Sequence, residues 1–289
     1  MKRFLRQPFL LVALVILLWA PTPAVAKLLL ADLTSMQVLA YASLLATLAL
    51  LLIIVATSKV KTLSTYAPRD FLILPVLGSL GVLLYYLFFY GALTFIPAQE
   101  ASIVNYLWPL LVGILGSILL REKLRIHHAL ALLLSFSGVY VVITRGTLTL
   151  FSDLRGVLLA ILGACSYALY SVLSKRWKYT DVRAIFFCYV WASLICIAWV
   201  VLHGTLYYPS PYQLIGLIWM GTMPSALAYL VWLSALRQAP VRKMANLVYL
   251  TPFVSLIFIY TMLGEKILIS SLLGLLLIVA GIVIQLARK

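Results

Sequence analysis

An amide and an aromatic ring three residues apart occur twice in this sequence: Asn105 and Trp108 in "VNYLWP", and Asn246 and Tyr249 in "NLVYLTP". On a helix an i,i+3 pair shares one face, and Ser102 joins the first pair from one turn earlier. An amide supplies a donor and an acceptor, and a ring supplies a flat apolar surface. Together they suit the reversible binding of a small organic molecule. Covalent chemistry has no comparable support. Cys165, Cys188 and Cys196 have no His or Cys partner at ligand spacing, and His127, His128 and His203 form no cluster. There is no H-E-x-x-H, no Gly-x-Ser-x-Gly and no nucleotide-binding loop. The chain reads as neither an enzyme nor a metal protein, with no cofactor.

Further aromatic residues fall on stripes of the same kind. Tyr86 and Tyr90 lie four apart in "LLYYLFFYG", and Tyr229 and Trp232 three apart in "LAYLVWLSAL". With Trp19, Trp108 and Tyr167 they predict an aromatic chamber for an apolar or zwitterionic molecule. Prolines punctuate the same segments: Pro21, Pro23, Pro109, Pro224 and Pro252. Each removes a backbone N–H and frees a carbonyl one turn back, which suits a bundle that bends as it works. We expect Pro109 and Pro252 at mid-helix. Glu100 is the one candidate proton carrier, because no Asp or Glu falls at the centre of a predicted span.

These residues need a scaffold, and the composition says which. Charged residues make up 10% of the chain and apolar ones 65%, against about 25% and ~45–50% in soluble domains. Apolar windows long enough for a bilayer run almost end to end, at approximately 8–30, 35–57, 71–94, 97–120, 126–145, 154–175, 184–203, 211–236, 240–263 and 267–287. They are too long for barrel strands and show no period-2 alternation. We expect an all-α integral membrane protein with ten transmembrane helices. The net charge of +15 would suggest nucleic acid as a partner in a soluble chain. Here, with the N-terminus in the cytoplasm, 18 of the 22 Lys and Arg residues fall in inside segments. Membrane topology explains the charge, and both termini are expected to be cytoplasmic. The expected partners are the lipid bilayer and a small-molecule substrate, with no nucleic acid and a monomer as the working unit.

A shift of 143 residues lays "PAQEASIVNYLWP" over "PVRKMANLVYLTP". Pro97 falls on Pro240, Pro109 on Pro252, Tyr86 on Tyr229, and Glu122-Lys123 on Glu265-Lys266. Random leucine-rich helices would align leucines but not these prolines and charged pairs. The chain therefore divides into five-helix repeats at 1–147 and 148–289. An odd number of spans per repeat inverts the second copy, and inverted repeats place a substrate site near the midplane. The first five residues after Met1 include three cations, and "LLWAPTPAVAK" ends in an A-x-A pattern, as a cleaved signal peptide would. A complete first repeat needs this segment, so we expect a retained helix with Trp19 and Lys27 over Tyr167 and Lys175.

Ten helices in inverted halves, the Trp-small-Pro stretch followed by Lys in helix one, and Glu-Lys closing helices four and nine resemble the drug/metabolite transporter superfamily, and within it the EamA-type exporters. "VNYLWP" is similar to the corresponding helix of the superfamily's bacterial aromatic amino-acid exporters. Those exporters also carry Trp in helix one, matched by Trp19, and in helix six, where this chain has Tyr167. The resemblance implies a secondary transporter in the cell membrane that exports small organic metabolites, amino acids foremost, by alternating access. A broad exporter of drugs or other metabolites is the alternative it leaves open.

Overall fold

The computed structural model describes residues 8–57, 67–119, 126–147, 153–179, 181–238, 248 and 250–287. Among these the chain is helical, with no strand. The helices are α1 (Pro8–Trp19), α2 (Thr22–Leu29), α3 (Ser35–Ala56), α4 (Asp70–Gly78), α5 (Tyr85–Phe95), α6 (Ala98–Asn105) and α7 (Trp108–Leu119). There follow α8 (Ile126–Ile143), α9 (Leu154–Trp177), α10 (Val182–Leu202), α11 (Pro211–Thr222), α12 (Ala228–Gln238), α13 (Thr251–Leu263) and α14 (Ile269–Ala287). Two π-helical turns, Ser79–Leu84 and Met223–Leu227, join α4 to α5 and α11 to α12.

Six stretches among the described residues are long and apolar enough to cross a bilayer: Pro8–Leu29, Ser35–Ala56, Asp70–Phe95, Leu154–Trp177, Val182–Leu202 and Pro211–Trp232. Leu133–Ile143, Thr251–Leu263 and Ile269–Ile284 are shorter apolar helices. Helix four of the sequence reading is split into α6 and α7 by a turn at Tyr106–Leu107, and part of helix nine lies outside the described residues. Leu52, Leu72, Leu133 and Ile215 are among the many large apolar side chains left exposed. Water would penalise that surface, whereas lipid matches it.

Apolar side chains gain little by leaving lipid for one another, so helix contacts here depend on close fit. α8 and α14 show this most plainly. A Cβ on Gly138 would stand 2.5 Å from the carbonyl oxygen of Gly274, and one on Gly274 would stand 2.6 Å from that of Gly138. Other large pairings are α3 with α10 and with α11, α5 with α9, α1 with α12, and α7 with α9.

Local polar contacts fix the helix ends. Thr34 with Gln37, and Ser210 with Gln213, form reciprocal caps at the starts of α3 and α11. Asp32 accepts from Gln213 Nε2 at 2.9 Å, and Tyr179 donates to Asp70. Burial and then the Asp70 carboxylate push the Tyr179 phenol up to about 12.

The prolines sit differently from expectation. Pro109 is the second residue of α7 and Pro252 the second of α13. Both occupy a first helical turn, where the missing N–H has no intrahelical acceptor to lose. Neither kinks a continuous helix at its middle. The discontinuity lies just before each proline. Pro21 breaks helix one between α1 and α2, Pro23 lies in the first turn of α2, and Pro224 lies within the second π-helical turn.

Candidate functional site

The helix breaks converge on a cavity. Helix one contributes Trp19, Thr22 and Pro23, and α6 with α7 contributes Ser102, Asn105 and Trp108 across Tyr106. The first π-helical turn and α5 supply Gly81, Val82, Tyr85, Tyr86 and Phe89. From α9 come Tyr167 and Tyr170, from α10 Ile185, Cys188 and Tyr189, and from the second π-helical turn and α12 Pro224 and Tyr229. Val248, Thr251 and Ser255 complete the described wall.

Each π-helical turn widens the helix and displaces a carbonyl, which needs a new donor in a medium without water. Trp19 Nε1 donates to Pro224 O at 3.0 Å. In the other turn Ser166 Oγ donates to Leu80 O at 2.7 Å. Tyr86 and Tyr229 each stand two residues beyond a π-helical turn, and both face the cavity. Gly81, within the first turn, makes room for Tyr170, whose ring carbons lie 2.5 Å from where a Cβ would be. That approach leaves the Tyr170 hydroxyl 3.3 Å from the Tyr229 hydroxyl.

The rings pack against one another as well as around the space. Trp108 meets Tyr167 edge-on with centroids 5.1 Å apart, and Tyr85 lies 4.9 Å from Tyr167 and 4.8 Å from Tyr86. Such pairs contribute about 0.5–1.5 kcal/mol beyond simple burial. Asn105 Nδ2 donates to Tyr85 Oη at 3.3 Å. Ten aromatic rings line the cavity, and among the described residues its wall carries no charged side chain.

Of the residues singled out from sequence, Trp19, Tyr86, Asn105, Trp108, Tyr167 and Tyr229 border this one space. Tyr90 does not; it is buried behind Tyr86, with ring centroids 5.3 Å apart. Trp232 stands behind Trp19 at 6.2 Å. Both support a lining ring and belong to the packing beneath the wall. Asn246 and Tyr249 lie outside the described residues. Tyr85, Phe89, Tyr106, Tyr170 and Tyr189 were missed. Tyr170 was within reach, three residues beyond Tyr167 on the same face, whereas Tyr189 belongs to no repeated motif.

One cluster of ionic groups lies apart from the cavity, at one end of the bundle. Lys27 Nζ donates to Leu93 O at 2.6 Å and to Ile96 O at 2.7 Å, capping the end of α5. Glu265 accepts from Ala98 N at 2.8 Å and Gln99 N at 3.2 Å, capping the start of α6. Each charge complements the helix end it meets, and charge-assisted bonds of this kind contribute about 1.5–3 kcal/mol. Gln99 Nε2 donates to Lys266 O at 2.9 Å, and Gly264, with φ of 69°, turns the chain after α13 to bring Glu265 there. Glu100 is fully buried and paired with Arg145, whose Nε lies 3.0 Å from Oε1.

Comparison with known proteins places this architecture. A family model described as the EamA-like transporter family matches residues 7–144 and again 154–287. An uncharacterized transporter of Archaeoglobus fulgidus is 28% identical over 286 residues, covering 97% of both chains. The aromatic amino acid exporter YddG of Ancylobacter novellus is 27% identical over 182 residues, 62% of this chain and 63% of its own. The uncharacterized transporter YvbV of Bacillus subtilis is 28% identical over 239 residues, 81% of this chain and 77% of its own. A protein of known crystal structure superposes with a TM-score of 0.67 at 23% identity, over 96% of this chain and 95% of its own, a likeness of fold.

Proposed function

The chain belongs to the EamA-like transporter family, and from that premise we propose that it is a secondary transporter that exports small neutral or zwitterionic metabolites, aromatic and other neutral amino acids foremost. One observation carries the reading: ten aromatic rings and, among the described residues, no charged side chain line a single cavity at the meeting point of broken helices. A lining of this kind holds a flat organic molecule by its faces and discriminates against phosphorylated or metal cargo, which would need fixed cations or carboxylates. YddG of Ancylobacter novellus is named for aromatic amino acids, which points to the same chemistry.

In this reading ten spans form two inverted five-helix repeats, both termini lie in the cytoplasm of a cell-membrane protein, and the monomer suffices. Paired features support it. The π-helical turns at Ser79–Leu84 and Met223–Leu227 nearly coincide under the 143-residue shift. The contacts Trp19 to Pro224 O and Ser166 to Leu80 O exchange under shifts of 143 to 147 residues, to within one position. The pairings α1 with α12 and α5 with α9 also exchange, while α3 with α10 and α8 with α14 map onto themselves. A two-fold relation in the membrane plane requires that behaviour. The protein is a carrier rather than an enzyme. Substrate alone drives its alternation, because the described cavity wall offers no carboxylate to shuttle a proton. Proton coupling through Glu100, the second reading, draws less support because Glu100 is engaged by Arg145 away from the cavity.

The test is uptake and counterflow of radiolabelled amino acids in proteoliposomes, with wild type beside Trp108→Ala and with or without a pH gradient. Transport of neutral amino acids, lost in the variant and indifferent to the gradient, is the expected result. A folded protein that moves no amino acid overturns the cargo assignment, and gradient-driven accumulation overturns the facilitated mode.

A further inference from the structure

All eight residues of α6 are buried, Gln99 and Glu100 included. The helix fills the space between the cavity and the end of the bundle that carries Lys27 and Glu265. Gln99, Ser102 and Asn105 recur at three-residue intervals and form one stripe along it. Each has a buried side-chain atom with no hydrogen-bond partner in the protein: Gln99 Oε1, Ser102 Oγ and Asn105 Oδ1. Only six such atoms occur among the described residues, so half of them stand on eight residues. The stripe runs from the cavity to the ionic cluster. Ser102 and Asn105 border the cavity, and Gln99 reaches the ionic cluster through Lys266 O.

The two ends of α6 are held unequally. Its first turn is clamped by the Glu265 carboxylate, by Gln99 on Lys266 O, and by the corner that Lys27 fixes at Leu93 and Ile96. Its last turn runs into the break at Tyr106–Leu107. There Pro109 has no N–H for the Asn105 carbonyl, so the helix cannot continue its hydrogen-bond ladder into α7. A short rod clamped at one end and jointed at the other has one easy motion: release of the clamp lets it swing about the joint. Buried polar atoms are nearly always paired in proteins, so a stripe of unpaired ones is ill suited to a permanent seal and well suited to a wall that is wetted in part of a cycle.

We propose that α6 is the gate between the cavity and this end of the bundle, with Glu265 as its latch. When the latch opens, the Gln99, Ser102 and Asn105 stripe becomes the wall of the path from the cavity to that face. The proposal rests on the transporter reading above, and under the proposed topology the face is the outer one.

The experiment measures access rather than transport. Ser102→Cys is introduced after Cys165, Cys188 and Cys196 are replaced by alanine, and a membrane-impermeant maleimide is applied from the face that carries Lys27 and Glu265. Labelling is expected to be slow with the latch intact and at least about tenfold faster in Glu265→Gln, the factor that corresponds to losing one charge-assisted hydrogen bond. Gln99→Ala, which removes only the tie to Lys266 O, should accelerate it by a smaller factor. Asp32→Asn weakens a contact at the same end that does not touch α6, and it should leave the rate unchanged. Equal labelling in the latched and released proteins overturns the gate, as does acceleration by Asp32→Asn equal to that by Glu265→Gln. Counterflow of amino acids run beside it on the wild-type protein separates the two ideas. Faster labelling on release without any amino-acid movement keeps the gate and sinks the cargo assignment, whereas amino-acid movement with latch-independent labelling does the reverse.

Discussion

The two π-helical turns solve one local problem with different side chains. In the first, Ser166 satisfies Leu80 O from a position that does not border the cavity. In the second, Trp19 satisfies Pro224 O, and its ring forms part of the cavity wall. The backbone requirement is the same in both places, because a displaced carbonyl in a bilayer must find a donor. Repetition of a backbone feature therefore does not imply repetition of its use. One donor lies outside the cavity wall, and the other forms part of it.

That contrast can be broken by mutation, and the largest effect is expected at Trp19. Trp19→Leu removes the donor to Pro224 O, the ring in the wall and the partner of Trp232 at once. We expect kcat/KM to fall by more than about tenfold together with a lower melting temperature. A protein whose stability falls while its transport parameters hold would place Trp19 on the structural side with Ser166. Gly81→Ala comes next. Its new methyl would meet the Tyr170 ring, and overpacking of this kind costs about 1–3 kcal/mol. Thermal unfolding should show the loss, and Tyr170→Ala in the same chain should recover part of it by vacating the space.

Ser166→Ala should destabilise by about 1–2 kcal/mol, since Leu80 O loses its donor, with KM unchanged. A changed KM there would erase the distinction between the two turns. The smallest effect is expected from Tyr170→Phe, which removes one hydroxyl from the 3.3 Å contact with Tyr229. Stability should change by less than about 1 kcal/mol, and a selective loss of transport would show that the hydroxyl pair meets the cargo.

Much of this was legible in the sequence. Apolar windows and their low charge gave helices of bilayer length at Ser35–Ala56, Leu154–Trp177 and Val182–Leu202, close to the expected limits. The breaks beside Pro21 and within "VNYLWP" were signalled by proline, though Pro109 and Pro252 fall just after a break instead of inside a helix. Among the expected site residues, those supported by spacing as well as by type border the cavity. Asn105 and Trp108 share a face, Tyr86 has a counterpart in Tyr229, and all four line the cavity. Tyr90 and Trp232 lie on the same stripes yet sit one layer back, because a helical stripe wider than the cavity continues into packing. No local pattern marks Tyr189, which faces the space only because α10 packs against α3, α4 and the first π-helical turn.

The sequence by itself determined the solvent in which this protein works, the helices that follow and the residue types available for binding. Those properties depend on composition and short-range periodicity, which a single chain displays in full. Tertiary structure decided which side chains share a space and which carbonyls need a donor from elsewhere. It brought Trp19 to Pro224, across 205 positions of sequence, and Glu265 to Ala98, across 167. It also left three polar atoms of α6 without partners. These relations arise from helix against helix, where a rotation of a few tens of degrees changes every neighbour, and no local sequence signal fixes that rotation.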